Sequence, residues 1–247
     1  MHLKNSLRYQ LEVYKQPLIV IGVVYLTMIA LDIILGLATS PSNLTLSGPD
    51  AFMVMFAFIF ACSKYASNFN MQTQNGISRK TFFTTTAISS TLFAAASSLF
   101  VFVSTLLFDW LNGMIFAGKN VRLTLDLLFT SMCYGEERTV FTIFMGTVIL
   151  FFVLLVAFFA GHFFSSLFYR INSIAKVFVV VAPIVIFNVI LPIIDIMFFD
   201  LQLSELAVQV LSVLFGSVFA SILSLSVIAA VFAALAYVVI RRSPIKK

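Results

Sequence analysis

The residues able to do chemistry fall into three groups, and none forms a catalytic centre. The first is Asn75-Gly76-Ile77-Ser78-Arg79-Lys80-Thr81-Phe82-Phe83, a polar island between two long apolar runs. Gly76 punctuates the chain, Ser78 is placed to cap a following helix, and Arg79 with Lys80 offers two cations to an acidic groove on another protein. The same pair would also serve as a plain topology signal for the flanking spans, and both readings stand at this point. The second group is Asp32, Asp195 and His162, ionisable side chains within or beside apolar runs, where they are costly. They suit a proton or cation pathway, but with no basic partner embedded opposite them, a bond to a neighbouring helix or a place near the interface is the favoured reading. The third group is Ser63, Tyr65, Ser67 and Asn68, which make the inner half of one apolar run polar, together with Asn188 between Pro183 and Pro192. Side chains of this kind are expected to face protein or a water-filled cavity rather than lipid, which makes them pathway candidates.

Other chemistries find no residues. The chain has no GxxxxGK[ST], so nucleotide binding through a P-loop is not expected and ATP-driven work would need a partner. Glu136-Glu137-Arg138 suggests a glutamate and histidine protease, but the histidines are only His2 and His162, and neither HExxH nor GxSxG occurs. No enzyme activity, no metal site and no cofactor of its own is expected. Cys62 lies in an apolar run and Cys133 in a predicted outer segment, without CxxC spacing. The basic residues sit in short clusters beside apolar runs, the placement of topology charges rather than of a nucleic-acid surface.

The elements that must position these residues are membrane spans. With 61% hydrophobic and 10% charged residues and several runs longer than about 18 apolar residues, the sequence predicts an all-α polytopic membrane protein forming one transmembrane domain over 1–247. Residues 2–15 place Leu3, Leu7, Leu11 and Tyr14 at helical spacing beside Lys4, Arg8, Glu12 and Lys15, which predicts an N-terminal amphipathic interfacial helix over 1–16. Six transmembrane helices are then expected at about 17–39, 51–70, 82–107, 140–167, 177–199 and 215–240. A turn-rich outer loop is expected at Ser40 to Pro49, an interfacial helix with turns from Asp109 to Thr139, and an outer stretch from Asp200 to Leu214. Small residues every fourth position predict close helix packing at Ser90, Ala94 and Ser98, at Ala157, Gly161 and Ser165, and at Gly216, Ala220 and Ser224.

Charge fixes the expected orientation. Twelve of the fifteen basic residues fall on the side of the two termini and the 75–83 loop, whereas nine of the ten acids fall toward the other side, Glu12 being the exception. The positive-inside rule then puts both termini in the cytoplasm.

The order of parts, namely a surface helix, six spans, the Asn75 to Phe83 loop and the basic tail Arg241-Arg242-Ser243-Pro244-Ile245-Lys246-Lys247, resembles the permease subunits of ATP-binding-cassette (ABC) type 2 exporters, small permeases of Gram-positive bacteria above all. The resemblance implies that residues 2–15 are a connector helix. It places the coupling element that docks on a separate ATPase at roughly Asn68 to Thr81, and a re-entrant outer stretch at Asp200 to Leu214. It further implies an ABC ATPase in trans that carries ATP and Mg, a second permease subunit as homodimer or heterodimer, and residence in a bacterial plasma membrane. The Asp109 to Thr139 segment is larger than the family's usual outer loop. An ion-coupled secondary transporter using Asp32, Asp195 and His162, or a membrane scaffold without transport, remains an alternative.

Overall fold

The computed structural model describes residues 2–38, 43–46, 49–115, 120–123, 139–172, 175–176, 179, 186 and 202–243. Six helices dominate: α1 (His2–Ala38), α2 (Pro49–Gln74), α3 (Arg79–Ile115), α4 (Val140–Arg170), α5 (Gln202–Phe215) and α6 (Val218–Arg241). Five of them, all but α5, are long and apolar enough to cross a membrane. The span expected at 177–199, with Asn188 and Asp195, lies outside the described residues, apart from isolated helical positions at 179 and 186.

Two outer segments meet unexpectedly. Strand β1 (Asn43–Leu46), from the expected outer loop, pairs in parallel with β2 (Asn120–Leu123), from the expected interfacial helix, in the register Asn43 to Asn120 through Leu46 to Leu123. The third span also outruns its expected end near 107, continuing as helix through Asp109 to Ile115. Nothing in 108–115 is a helix stop until Gly113, and one glycine costs a helix only about 1 kcal/mol.

The N-terminal segment differs from expectation in an instructive way. Residues 2–15 form no separate element: α1 runs unbroken to Ala38 with Pro17 inside it. Its buried stripe is Ser6, Gln10, Tyr14, Ile21, Tyr25 and Ile29, whereas Leu3 and Leu11 of the expected apolar stripe are 49% and 39% exposed. The charged stripe Lys4, Arg8, Glu12 and Lys15 stays exposed; the face turned inward is that of Ser6, Gln10 and Tyr14, where α2 and α3 supply hydrogen-bond partners, described below, and a matched polar side chain costs little to bury.

Helix α4 is the centre of the bundle, packing on α2, α3 and α6, while α1 lies along α3. Thr139 closes its N-terminal end with a capping box, taking the Thr142 N–H on its hydroxyl at 3.3 Å while its own N–H donates to the Thr142 hydroxyl at 2.9 Å. The expected ladders Ser90, Ala94, Ser98 and Ala157, Gly161, Ser165 are all buried. The third is displaced: Gly216 is exposed, and α6 instead buries Ser221, Leu225, Ala229, Ala236 and Ile240.

Gly161 marks the closest approach of α2 and α4. A Cβ there would lie 2.7 Å from the Ala61 Cβ and 2.8 Å from the Phe58 carbonyl oxygen, so Gly161→Ala must push the helices apart. Overpacking of this kind costs about 1–3 kcal/mol. At Gly22 an added methyl meets only the Phe100 ring at 3.7 Å, an ordinary contact. Thermal unfolding in detergent is expected to show Gly161→Ala well below the parent and Gly22→Ala at or above it. Equal melting of the two variants would refute the close approach.

Candidate functional site: the α2–α3 turn and the polar seam beneath it

The turn between α2 and α3 is built by its own residues. The Ile77 N–H donates to the Gln72 carbonyl at 3.0 Å and the Gly76 N–H to the Thr73 carbonyl at 3.1 Å, the crossed pair of a Schellman motif. That motif needs a left-handed residue after the helix cap, and Gly76 supplies it with φ +76°. Asn75 closes another carbonyl by donating its side-chain amide to Met71 O at 2.9 Å. Two residues later Ser78 starts α3: its hydroxyl accepts the Thr81 N–H at 3.1 Å and meets the Thr81 hydroxyl at 2.8 Å. Both helix ends are therefore satisfied within the turn, which makes it a fixed knuckle rather than a loose loop. Asn75, Gly76, Ser78 and Lys80 are exposed, Ile77, Arg79 and Thr81 half-buried.

The two cations do different things. Arg79 donates from Nη1 to the carbonyl of Arg241 at 2.7 Å, capping the last turn of α6. A guanidinium at a helix C-terminus meets both an orphan carbonyl and the negative end of the helix dipole. Lys80 is exposed, and its ammonium has no partner among the described residues.

Beneath the knuckle lies an aromatic cluster that joins four helix ends. Tyr65 and Phe69 of α2, Phe82 of α3, Tyr169 of α4 and Ile240 of α6 are buried together. Phe69 meets Phe82 at 5.3 Å and Tyr169 at 5.7 Å between ring centroids, both edge to face, a preferred aromatic geometry. Tyr169 also donates its hydroxyl to Asn70 Oδ1 at 2.7 Å. A displacement of the turn would thus reach α4 and α6 through packed rings.

A polar seam continues from the cluster between α1, α2, α3 and α4. The Ser6 hydroxyl donates to Gln72 Oε1 at 2.6 Å and lies 3.1 Å from the Thr85 hydroxyl. Tyr9 donates to Asn68 Oδ1 at 3.4 Å, and Gln10 donates its amide to the Thr86 hydroxyl at 3.2 Å. At the deep end His162 Nε2 lies 3.1 Å from the Ser90 hydroxyl and 3.4 Å from that of Tyr14, which are themselves 3.1 Å apart. These contacts, with Arg79 on Arg241, bring the start of α1, the α2–α3 turn and the ends of α4 and α6 to one end of the bundle. Lys4, Arg8, Arg79, Lys80, Arg170, Arg241 and Arg242 gather there.

The structure divides the residues singled out in the second span. Tyr65 and Asn68 face inward and are buried, whereas Ser63 and Ser67 face out, Ser63 bonding back to the Phe60 carbonyl at 3.1 Å. Four consecutive turn positions cannot share one face at 100° per residue: 65, 68, 69 and 72 form one stripe, 63 and 67 another. His162 is not brought to Asp32, for it touches Tyr14, and α1 runs from Tyr14 on to Asp32 over roughly 27 Å at 1.5 Å per residue. Asp195 and Asn188 lie outside the described residues.

Sequence reasoning missed most of the seam. Along α3 the buried hydroxyls are Thr85 and Thr86, Ser89 and Ser90, Ser97 and Ser98, Ser104 and Thr105. The adjacent pairs recurring at three- to four-residue multiples were the available signal; the ladder through Ser90, Ala94 and Ser98 is one edge of that stripe. No family model, curated protein or solved structure matches this chain.

Proposed function

We propose that this protein is the membrane-spanning permease subunit of an ABC type 2 exporter, driven in trans by an ATPase that docks on the α2–α3 turn. The observation that carries the reading is the knuckle itself: a self-satisfied turn with a free Lys80 outside and, inside, direct ties to α4 and α6. A coupling element must accept a push from a partner without yielding locally and must hand it to the spans. This turn has both properties. Its resemblance to the family's coupling loop, residues 75–81, supplies the identity of the partner.

In this reading the basic end faces the cytoplasm of a bacterial plasma membrane, the start of α1 lies at the membrane interface in place of a separate connector helix, and a second permease subunit completes the pathway. The unexplained outer stretch includes α5, whose Leu206, Val208, Val210 and Val213 are exposed, as a helix dipping into the outer leaflet would leave them.

The orientation has a direct test. In a background with Cys62 and Cys133 replaced by Ala, Val140→Cys is expected to react with an impermeant maleimide on intact cells, and Asn75→Cys only after permeabilisation; both positions are exposed. Labelling of Asn75→Cys in intact cells would invert the orientation and remove the docking site from the ATPase. Co-purification of an ATPase with the wild-type chain tests the function, and its consistent absence would favour the secondary transporter or the scaffold.

A further inference from the structure

A second feature lies away from the turn, on the lipid-facing side of α1 and α3. The two helices run side by side in the same direction, and between them two adjoining hollows of about 330 and 370 Å³ share Leu18 and Ala96 as walls. The floor is apolar apart from Ser97. Gly22 keeps it open, since no side chain there fills the space in front of the Phe100 ring. The end nearer the basic pole is different: Glu12, Lys15 and Ser89 line it together. The Glu12 carboxylate and Lys15 ammonium are 3.7 Å apart, both largely exposed. Ser89 is wholly buried, so it forms part of the groove's wall rather than a contact for what lies in it. Glu12 is moreover the one acid on the basic side of the chain.

We infer that this groove holds one acyl chain of an aminophospholipid, a phosphatidylethanolamine, with its headgroup on Glu12 and Lys15. Two observations converge on that occupant. From Lys15 to Leu26 the groove follows α1 for roughly 16 Å at 1.5 Å per residue, about half of the roughly 30 Å hydrocarbon core, so it matches one leaflet. A paired anion and cation complement a zwitterion: Lys15 meets the phosphate and Glu12 the ammonium. An ethanolamine ammonium donates hydrogen bonds to a carboxylate, which a choline cannot, and a glycerol headgroup leaves Glu12 facing a net anion.

The inference is independent of the transport reading and is tested on the full-length protein alone. Delipidated protein is titrated, by native mass spectrometry, with phosphatidylethanolamine, phosphatidylcholine and phosphatidylglycerol of identical acyl chains. One ethanolamine lipid is expected to bind at least about tenfold more tightly than either of the others. Glu12→Gln should erase the preference for ethanolamine over choline, and Lys15→Gln should weaken both. Ser97→Ala, at the deep end, should change neither. Both headgroup positions are exposed, so their variants fold. Equal binding of the three lipids by the parent overturns the inference. Preference for phosphatidylglycerol does so too, since it would assign binding to the general basic field of Lys4 and Arg8. So does spontaneous cross-linking of Ile19→Cys between copies in bilayers, which would put a second chain on the groove.

Discussion

If the α2–α3 turn docks an ATPase as proposed, Lys80→Glu is expected to abolish co-purification of that ATPase and export, while the purified protein melts at the temperature of the parent. Lys80 is exposed and makes no contact that the fold uses, so its reversal changes only what a partner meets. Against an acidic groove, exchange of a cation for an anion replaces attraction with like-charge repulsion, which costs several kcal/mol at an interface. Arg79→Glu is expected to fail differently. It removes the donor from the Arg241 carbonyl and sets a carboxylate against the C-terminus of α6, an unfavourable end for negative charge. Its signature is a lowered melting temperature and loosened packing of α6, with ATPase binding reduced in step. Two single variants therefore separate docking from transmission, which the double reversal would confound. Wild-type recovery of ATPase by Lys80→Glu, in membranes of verified topology, would refute the docking assignment.

How far such roles are legible in sequence depends on the range of the interactions. Gly76 and Ser78 were readable because a left-handed cap and an N-cap hydroxyl act within four residues of themselves. The role of Arg79 was not, since its acceptor lies 162 positions away on a helix whose approach is fixed only by tertiary packing. Five of the six expected spans were readable as long apolar helices, and the small-residue ladders predicted real contact faces on α3 and α4. The N-terminal helix misled for a physical reason. An amphipathic pattern says that one face differs from the other, and in water the apolar face goes inside. Beside a membrane the outer medium can be the more apolar one. Leu3 and Leu11 can then stay outside while Ser6 and Gln10 turn to partners within. Period without solvent does not determine which face is buried.

Tyr14, the one member of the expected apolar stripe that is buried, anchors α1, and Tyr14→Ala is expected to lower stability by about 3–5 kcal/mol, the range for losing a large buried ring. Its ring meets Phe60 of α2 at 5.0 Å, Phe93 of α3 at 5.8 Å and Phe158 of α4 at 6.2 Å, so one side chain ties α1 to three other helices. Tyr14→Phe keeps all three ring contacts and loses only the hydroxyl shared with Ser90 and His162. Those two groups still face each other at 3.1 Å, so neither is stranded. The cost should be that of one neutral hydrogen bond, about 1 kcal/mol. His162→Leu should fall between them: a buried imidazole is exchanged for an apolar group of similar size, but the Ser90 and Tyr14 hydroxyls keep each other as partners. The order of melting temperatures in detergent, Tyr14→Phe above His162→Leu above Tyr14→Ala, checks the assignment. If Tyr14→Phe proved as damaging as Tyr14→Ala, the hydroxyl and not the ring would hold α1 in place. The seam would then be a polar lock whose opening could release α1 from the bundle.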